Sequence, residues 1–205
     1  FCIPYLSYSN FRIKPRKGFS ILFISIISTI ILLNFSLLTV LGTLLLIATL
    51  LIKNKKIYPY FYGSSFTLLN FEIFNILNLN IFDFFLNYLF PISLVSGVFS
   101  SMMIGHWFLV DPTISKEGMK KIAITSTFQS LILTPLVFFE FIGQDIESIF
   151  KNVILILFLS TSILSFASYK SLGEKSYTGV MASTGLSYLS LIVSLGASGG
   201  LLLLS

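Results

Sequence analysis

The chain is a succession of apolar runs, each close to the length a lipid bilayer demands, broken by short clusters of basic residues. A spanning helix needs about 20 mostly apolar residues, within a range of roughly 17–25. The runs fall at 18–33, 36–52, 57–80, 84–109, 120–142, 149–169 and 177–204. Hydrophobic residues make up 55% of the chain and charged residues 10%, whereas soluble domains carry about 25% charged residues. Such a surface is solvated by lipid, where backbone polar groups must be satisfied within the protein. The expected fold is all-α, a polytopic integral membrane bundle of about seven transmembrane helices. Residues 1–17 are read as a basic inner segment and 18–205 as one transmembrane domain.

The basic residues set the expected orientation. With seven spans and the N-terminus on the cytoplasmic side, the inner segments hold Arg12, Lys14, Arg16, Lys17, Lys53, Lys55, Lys56, Lys116, Lys120, Lys121, Lys170 and Lys175. Of the 13 basic residues only Lys151 is then left outside. Asn34 and Phe35 alone separate the first two runs, and merging those runs would move the four N-terminal basic residues to the outer side. Orientation follows the Lys/Arg asymmetry, which favours seven spans with the C-terminus on the opposite side. Acidic Asp83, Glu140, Asp145 and Glu147 fall in the outer loops. A net charge of +5 distributed in this way follows the membrane rule and leaves no nucleic-acid footprint. The placement fits a bacterial inner membrane or an organellar membrane of bacterial origin.

Small residues repeat along several runs. Ser93, Gly97, Ser101 and Gly105 recur every fourth residue and share one helix face. The last run carries Ser183, Ser187, Ser190, Ser194 and Ser198, and its neighbours carry Thr127, Ser130 and Thr134, then Thr161, Ser165 and Ser168. Small-xxx-small stripes let two backbones approach closely; the competing reading is a weakly polar pathway for a solute. Because Ser and Thr also bond their own helix carbonyls, the stripes do not demand water. Pro91 and Pro135 are expected to kink their helices.

Glu72 falls near the middle of the third run, with Asn70 and Asn75 close by. A carboxylate at mid-bilayer costs about 2.5–3.5 kcal/mol on insertion scales and often marks function. Glu72 and Asn75 are therefore candidates for a proton or cation site. The alternatives are a neutral, hydrogen-bonded Glu72 that fixes one helix against another, or a third run that lies shallower in the membrane. His106, the only histidine, precedes Trp107 and the Asp111-Pro112 stop near the inner end of the fourth run. It is a candidate for proton or quinone contact, or an interfacial residue paired with Asp111 or a lipid headgroup. No metal site is expected: His106 and Met102 are the weak candidates, and a copper site would lack further ligands. One histidine excludes bis-histidine haem within the chain, so no cofactor is expected unless a partner supplies the ligands for a haem or quinone. Ser115 is expected to cap the fifth run, with Glu117 in its first turn.

No phosphate loop, zinc-protease helix, nucleophile elbow or carboxylate cluster is present, and no lysine in 177–204 is available for a retinal Schiff base. Enzymatic activity is not expected. The favoured function is a non-catalytic integral subunit of a larger membrane complex, energy-transducing or electron-transfer associated, in contact with the lipid bilayer and other membrane subunits. The alternative is a small solute or ion transporter or channel using Glu72 and the serine-lined faces, although no inverted repeat supports it.

Overall fold

The computed structural model describes residues 24, 25, 29, 36–51, 57–112, 115–174 and 176–204. Among them every regular element is a helix. The basic segment 1–17, most of the run at 18–33 and the lysines at 53, 55, 56 and 175 lie outside the described residues. The chain divides into two compact units, one before Phe82 and one from it onward.

The first unit contains α1 (Leu37–Leu51) and α2 (Tyr58–Leu77), which pack against each other. Their close approach is set by Gly42: a Cβ there would stand 2.9 Å from Cγ of Leu69. At the same place Ser65 Oγ donates to the Gly42 carbonyl at 2.8 Å. Asn78 ends α2 in a left-handed conformation (φ 50°), its N–H bonded to the Phe74 carbonyl. Asparagine tolerates that conformation better than most side chains do. With 15 residues, α1 is shorter than a full span. Helix α2 has the length but includes Ser64, Ser65, Thr67, Asn70, Glu72 and Asn75, and it lacks the continuous apolar stretch that suits the four later helices to crossing a membrane.

The second unit is a four-helix bundle of α3 (Ile81–Val110), α4 (Glu117–Phe138), α5 (Ser148–Ser171) and α6 (Tyr177–Leu204). All four are long and apolar enough to cross a membrane, and they occupy the runs drawn at 84–109, 120–142, 149–169 and 177–204. Helix α3 packs on α4 and α6, and α5 packs on the same two, so consecutive helices are neighbours and α6 closes the ring against α3. Short connections make each helix antiparallel to the next.

Each proline acts locally. Before Pro91, residues Phe84–Leu89 form a π-helical turn, in which the Phe90 N–H reaches back to the Phe85 carbonyl. Proline cannot donate, and its ring crowds the carbonyl four residues earlier; a wider turn relieves that crowding. Pro135 lies three residues before α4 ends at Phe138, so this helix stops short of the predicted residue 142. The chain then turns through Glu140 (φ 60°) and Gly143 (φ 69°) and tucks Ile142 and Ile146 into the core.

The bundle interior has two storeys. Toward the α4–α5 loop it is apolar, with Leu94, Leu133, Val137, Phe158, Ala197 and Leu201 packed together. Toward the α3–α4 and α5–α6 turns it is lined by serine and threonine. Gly105 lets α3 approach α4 and α6 there: an added Cβ would run into Thr184 Oγ1 and stand 3.0 Å from Met119 Cε. Overpacking of this kind typically costs about 1–3 kcal/mol. Gly105→Ala is therefore expected to destabilise the bundle by about that amount, read as an earlier thermal unfolding in detergent, while Gly185→Ala, where a Cβ meets nothing within 4 Å, serves as the neutral control.

Candidate functional site

The serine-lined storey follows from residue spacing. Residues three and four apart share a helix face, so Ser183, Ser187, Ser190, Ser194 and Ser198 all turn inward on α6 and are buried. Ser183, Ser187 and Ser190 line this storey, while Ser194 and Ser198 carry the same face on beside Ala197 and Leu201 of the apolar one. Opposite them on α5 stand Thr161, Ser165 and Ser168, also buried. Ser168 Oγ lies 2.7 Å from Ser183 Oγ and 3.2 Å from Ser187 Oγ, and it donates to the Ser183 carbonyl at 3.2 Å. Higher up, Ser165 and Ser190 share a hydrogen bond of 3.0 Å.

The other seams of the ring are joined in the same way. Between α4 and α5, Ser130 Oγ donates to the Phe158 carbonyl at 2.5 Å and Ser162 Oγ to the Thr127 carbonyl at 3.4 Å. Between α3 and α6, Ser198 Oγ donates to the Pro91 carbonyl at 3.2 Å. Between α3 and α4, Gln129 Nε2 donates to Ser93 Oγ at 3.1 Å. Every adjacent helix pair thus shares at least one side-chain hydrogen bond. Other hydroxyls stay on their own helix: Ser96, Ser100, Thr127, Thr134, Thr161 and Thr184 each donate to the carbonyl four residues back.

At the centre of this storey is a cavity lined by Val98, Ser101, Ala123, Ser126, Ser165, Ser168 and Ser187, with one or two residues from each of the four helices. About 10 Å³ of it is open to the centre of a water molecule, and roughly 10–15 Å³ of such space holds one water. Among the described residues the buried polar side chains are Ser and Thr, with Asp111 at the end of α3.

The expected site residues are dispersed. Of the α3 stripe, Gly97, Ser101 and Gly105 are buried and Ser93 is half-buried. Glu72 is half-buried on α2, five residues before its last residue Leu77, or about 7.5 Å along the axis. Asn75 is exposed, and Asn70 Nδ2 donates to the Phe66 carbonyl on its own helix at 2.7 Å. Glu72 makes no hydrogen bond or ion pair with a described residue, so the structure does not assemble Glu72, Asn70 and Asn75 into one polar cluster. His106 is exposed and makes no hydrogen bond or ion pair among the described residues, whereas Met102, one turn away, is buried in the core. Asp111 is buried (5% exposed) and ends α3, its N–H bonded to the Trp107 carbonyl. No group of three potential metal-ligating His, Cys, Asp or Glu side chains occurs among the described residues.

The bundle end near His106 is fastened by Lys116. Its ammonium donates to the carbonyls of Glu174 at 2.9 Å and Ser176 at 3.4 Å, and sits 5.9 Å from the Phe108 ring centroid. It ties the α3–α4 loop to the α5–α6 turn. Beside it, Tyr177 packs its ring on Phe108 and donates its hydroxyl to the Leu109 carbonyl at 3.4 Å. Ser115 Oγ accepts the Glu117 N–H at 3.2 Å, supplying the start of α4 with the expected serine. At the opposite end Lys151 Nζ donates to Glu140 Oε1 at 2.6 Å. That hydrogen bond first, and the Lys151 charge second, hold the exposed Glu140 carboxyl below its ordinary value.

Sequence spacing missed Ser126, Gln129, Ser162 and the Gly42–Ser65 contact. Ser126 was legible as the residue one turn before Ser130, and Ser162 as the residue three before Ser165; Gln129 and the Gly42–Ser65 contact carry no repeat that would single them out. No family model, curated protein or solved structure matches this chain.

Two outcomes follow. Ser168→Ala removes the hydroxyl that binds Ser183 and Ser187, and hydrogen bonds between membrane helices average about 0.6 kcal/mol with a maximum near 1.7. A loss of about 1 kcal/mol is expected in chemical unfolding in micelles, with Ser160→Ala, whose hydroxyl bonds only its own helix, close to neutral. For Glu140 the sign is that of a carboxyl lowered in the folded state. The contribution is present above the ordinary carboxylate range, about pH 4.3, and is lost as pH falls through the lower folded value. An acid titration of stability is expected to lose a small, salt-screened component in Glu140→Gln, with no change near neutral pH in its slope.

Proposed function

We propose that the chain is a non-catalytic integral subunit of a larger membrane assembly, crossing the bilayer seven times with the N-terminus inside and the C-terminus outside. One observation carries this reading: the bundle spends its polar side chains on its own seams and presents apolar ones outward. Phe128, Leu131 and Ile132 on α4, Ile156, Leu159 and Ile163 on α5, and Leu189, Ile192 and Leu195 on α6 are all exposed. Faces of this kind suit lipid or neighbouring helices. Small-residue and hydroxyl contacts hold the bundle together, leaving its outer ridges available for partner subunits.

Charge supports the orientation. Lys116, Lys120, Lys121 and Lys170 gather at the end carrying the α3–α4 and α5–α6 turns, while Asp83, Glu140, Asp145 and Glu147 mark the opposite end. Lys151, the single basic residue that the seven-span arrangement leaves outside, is paired with Glu140, which offsets its charge there. An energy-transducing or electron-transfer assembly is the class expected from the sequence, and any haem or quinone in it takes ligands from a partner.

A carrier or channel is the second reading, favoured by the half-buried Glu72 carboxylate on α2. Against it stands the bundle interior, where the serine-lined space accommodates one water and the lining is uncharged. Purification in mild detergent is expected to bring down a stable, stoichiometric set of membrane partners, and Glu72→Gln is expected to leave their yield unchanged. A lone monomer or homodimer that passes a solute or protons across liposomes, with flux abolished by Glu72→Gln, would replace the subunit reading with the carrier.

A further inference from the structure

We infer that the cavity between α3, α4, α5 and α6 is a binding site for one water molecule, which joins the α3–α4 half of the bundle to the α5–α6 half. The inference is independent of the assembly to which the chain belongs. Two observations carry it together. The first is the space itself: about 10 Å³ is open to the centre of a water molecule, at the lower edge of the roughly 10–15 Å³ that one water needs, and none of its seven lining residues is more than 3% exposed. The second is a hydrogen-bond deficit. Ser101 Oγ and Ser126 Oγ are buried and have no partner, although their residues are 2% and 1% exposed.

Buried hydroxyls are nearly always partnered, and in a hydrocarbon-embedded bundle bulk water cannot reach these two. Each lies nine residues from the nearer helix end, Val110 for Ser101 and Glu117 for Ser126, or about 13–14 Å deep. The remaining lining serines are already engaged across the α5–α6 seam, Ser165 with Ser190 and Ser168 with Ser183 and Ser187. A hydroxyl offers one donor and two acceptor lone pairs; Ser168, which also donates to the Ser183 carbonyl, has used all three, while Ser165 and Ser187 retain capacity for a further contact. A water needs two to four polar partners; Ser101 and Ser126 supply two, and the α5–α6 serines supply the rest.

The ligand is neutral for an electrostatic reason. None of the lining side chains is charged, and an uncompensated ion in such surroundings is strongly disfavoured. Nor does the cavity resemble the spaces that stay dry, which are apolar; five of its seven lining residues are serines.

The sign of a stability change distinguishes a wet site from a dry one. The full chain carrying Ser101→Ala and Ser126→Ala together is unfolded thermally in nanodiscs beside the unmodified chain. If water is bound, the double variant loses that water's contacts and melts lower by about 2–4 °C. If the cavity is dry, removing two unpartnered buried hydroxyls leaves the melting temperature unchanged or raises it, and the inference fails. A density map fine enough to show ordered water gives a reading independent of folding. The expected result is one peak within hydrogen-bond distance, about 2.5–3.0 Å, of both Ser101 Oγ and Ser126 Oγ. An empty cavity, hydroxyls turned onto their own helix carbonyls, or a peak surrounded by contacts shorter than hydrogen bonds, as around a cation, would each overturn it.

Discussion

A hydroxyl placed in hydrocarbon must find its partner inside the protein, and the bundle is organised around that requirement. Lipid supplies little hydrophobic drive for one helix to leave the bilayer and join another, so packing and hydrogen bonds between helices carry the association. Apart from Ser101 and Ser126, the buried serines and threonines of α3–α6 meet the requirement in two ways. Some bond the carbonyl four residues back, which satisfies the hydroxyl but fixes no neighbour. Others reach across, as Ser168 does to Ser183, Ser130 to the Phe158 carbonyl and Ser198 to the Pro91 carbonyl. Only the second group specifies which helix stands beside which.

The same requirement explains the division of the interior. Around Leu94, Leu133 and Phe158 the helices are kept apart by bulky side chains that fill the space. Around Ser168, Ser187 and Gly105 the side chains are short, and Gly105 has no room for a methyl group against Thr184. Short side chains bring helices together but fill space less completely, so the one-water cavity opens in the serine storey. Charge is confined to the ends, where water and headgroups are. There it fastens loops, Lys116 across the α5–α6 turn and Lys151 onto Glu140.

Much of this was legible in the residues. The fourth to seventh apolar runs became α3–α6, because about 20 apolar residues in lipid have no better conformation than a helix. The four-residue stripe ending at Gly105 and the serines of α6 turned inward, since helical period alone assigns residues to a face. Less was legible where a single residue alters the backbone. Pro91 produced a π-helical turn, and Pro135 with the left-handed Glu140 and Gly143 ended α4 early. Candidate chemistry was least legible: the polar residues near Glu72 suggested a cluster, yet Asn70 bonds its own helix and Asn75 is exposed. Proximity along a helix says nothing about which way an amide turns.

By itself the sequence determined a membrane-solvated, all-helical chain, the positions of its four longest helices, the faces those helices bury and the ends at which charge collects. These depend on hydropathy and period, which are properties of each segment alone. The tertiary structure decided which hydroxyl pairs with which, that Ser162 belongs to the α4–α5 seam, that Lys151 is matched by Glu140, and that Ser101 and Ser126 line one cavity. Those outcomes depend on the register and separation of helices brought together from distant parts of the chain, which no segment encodes alone.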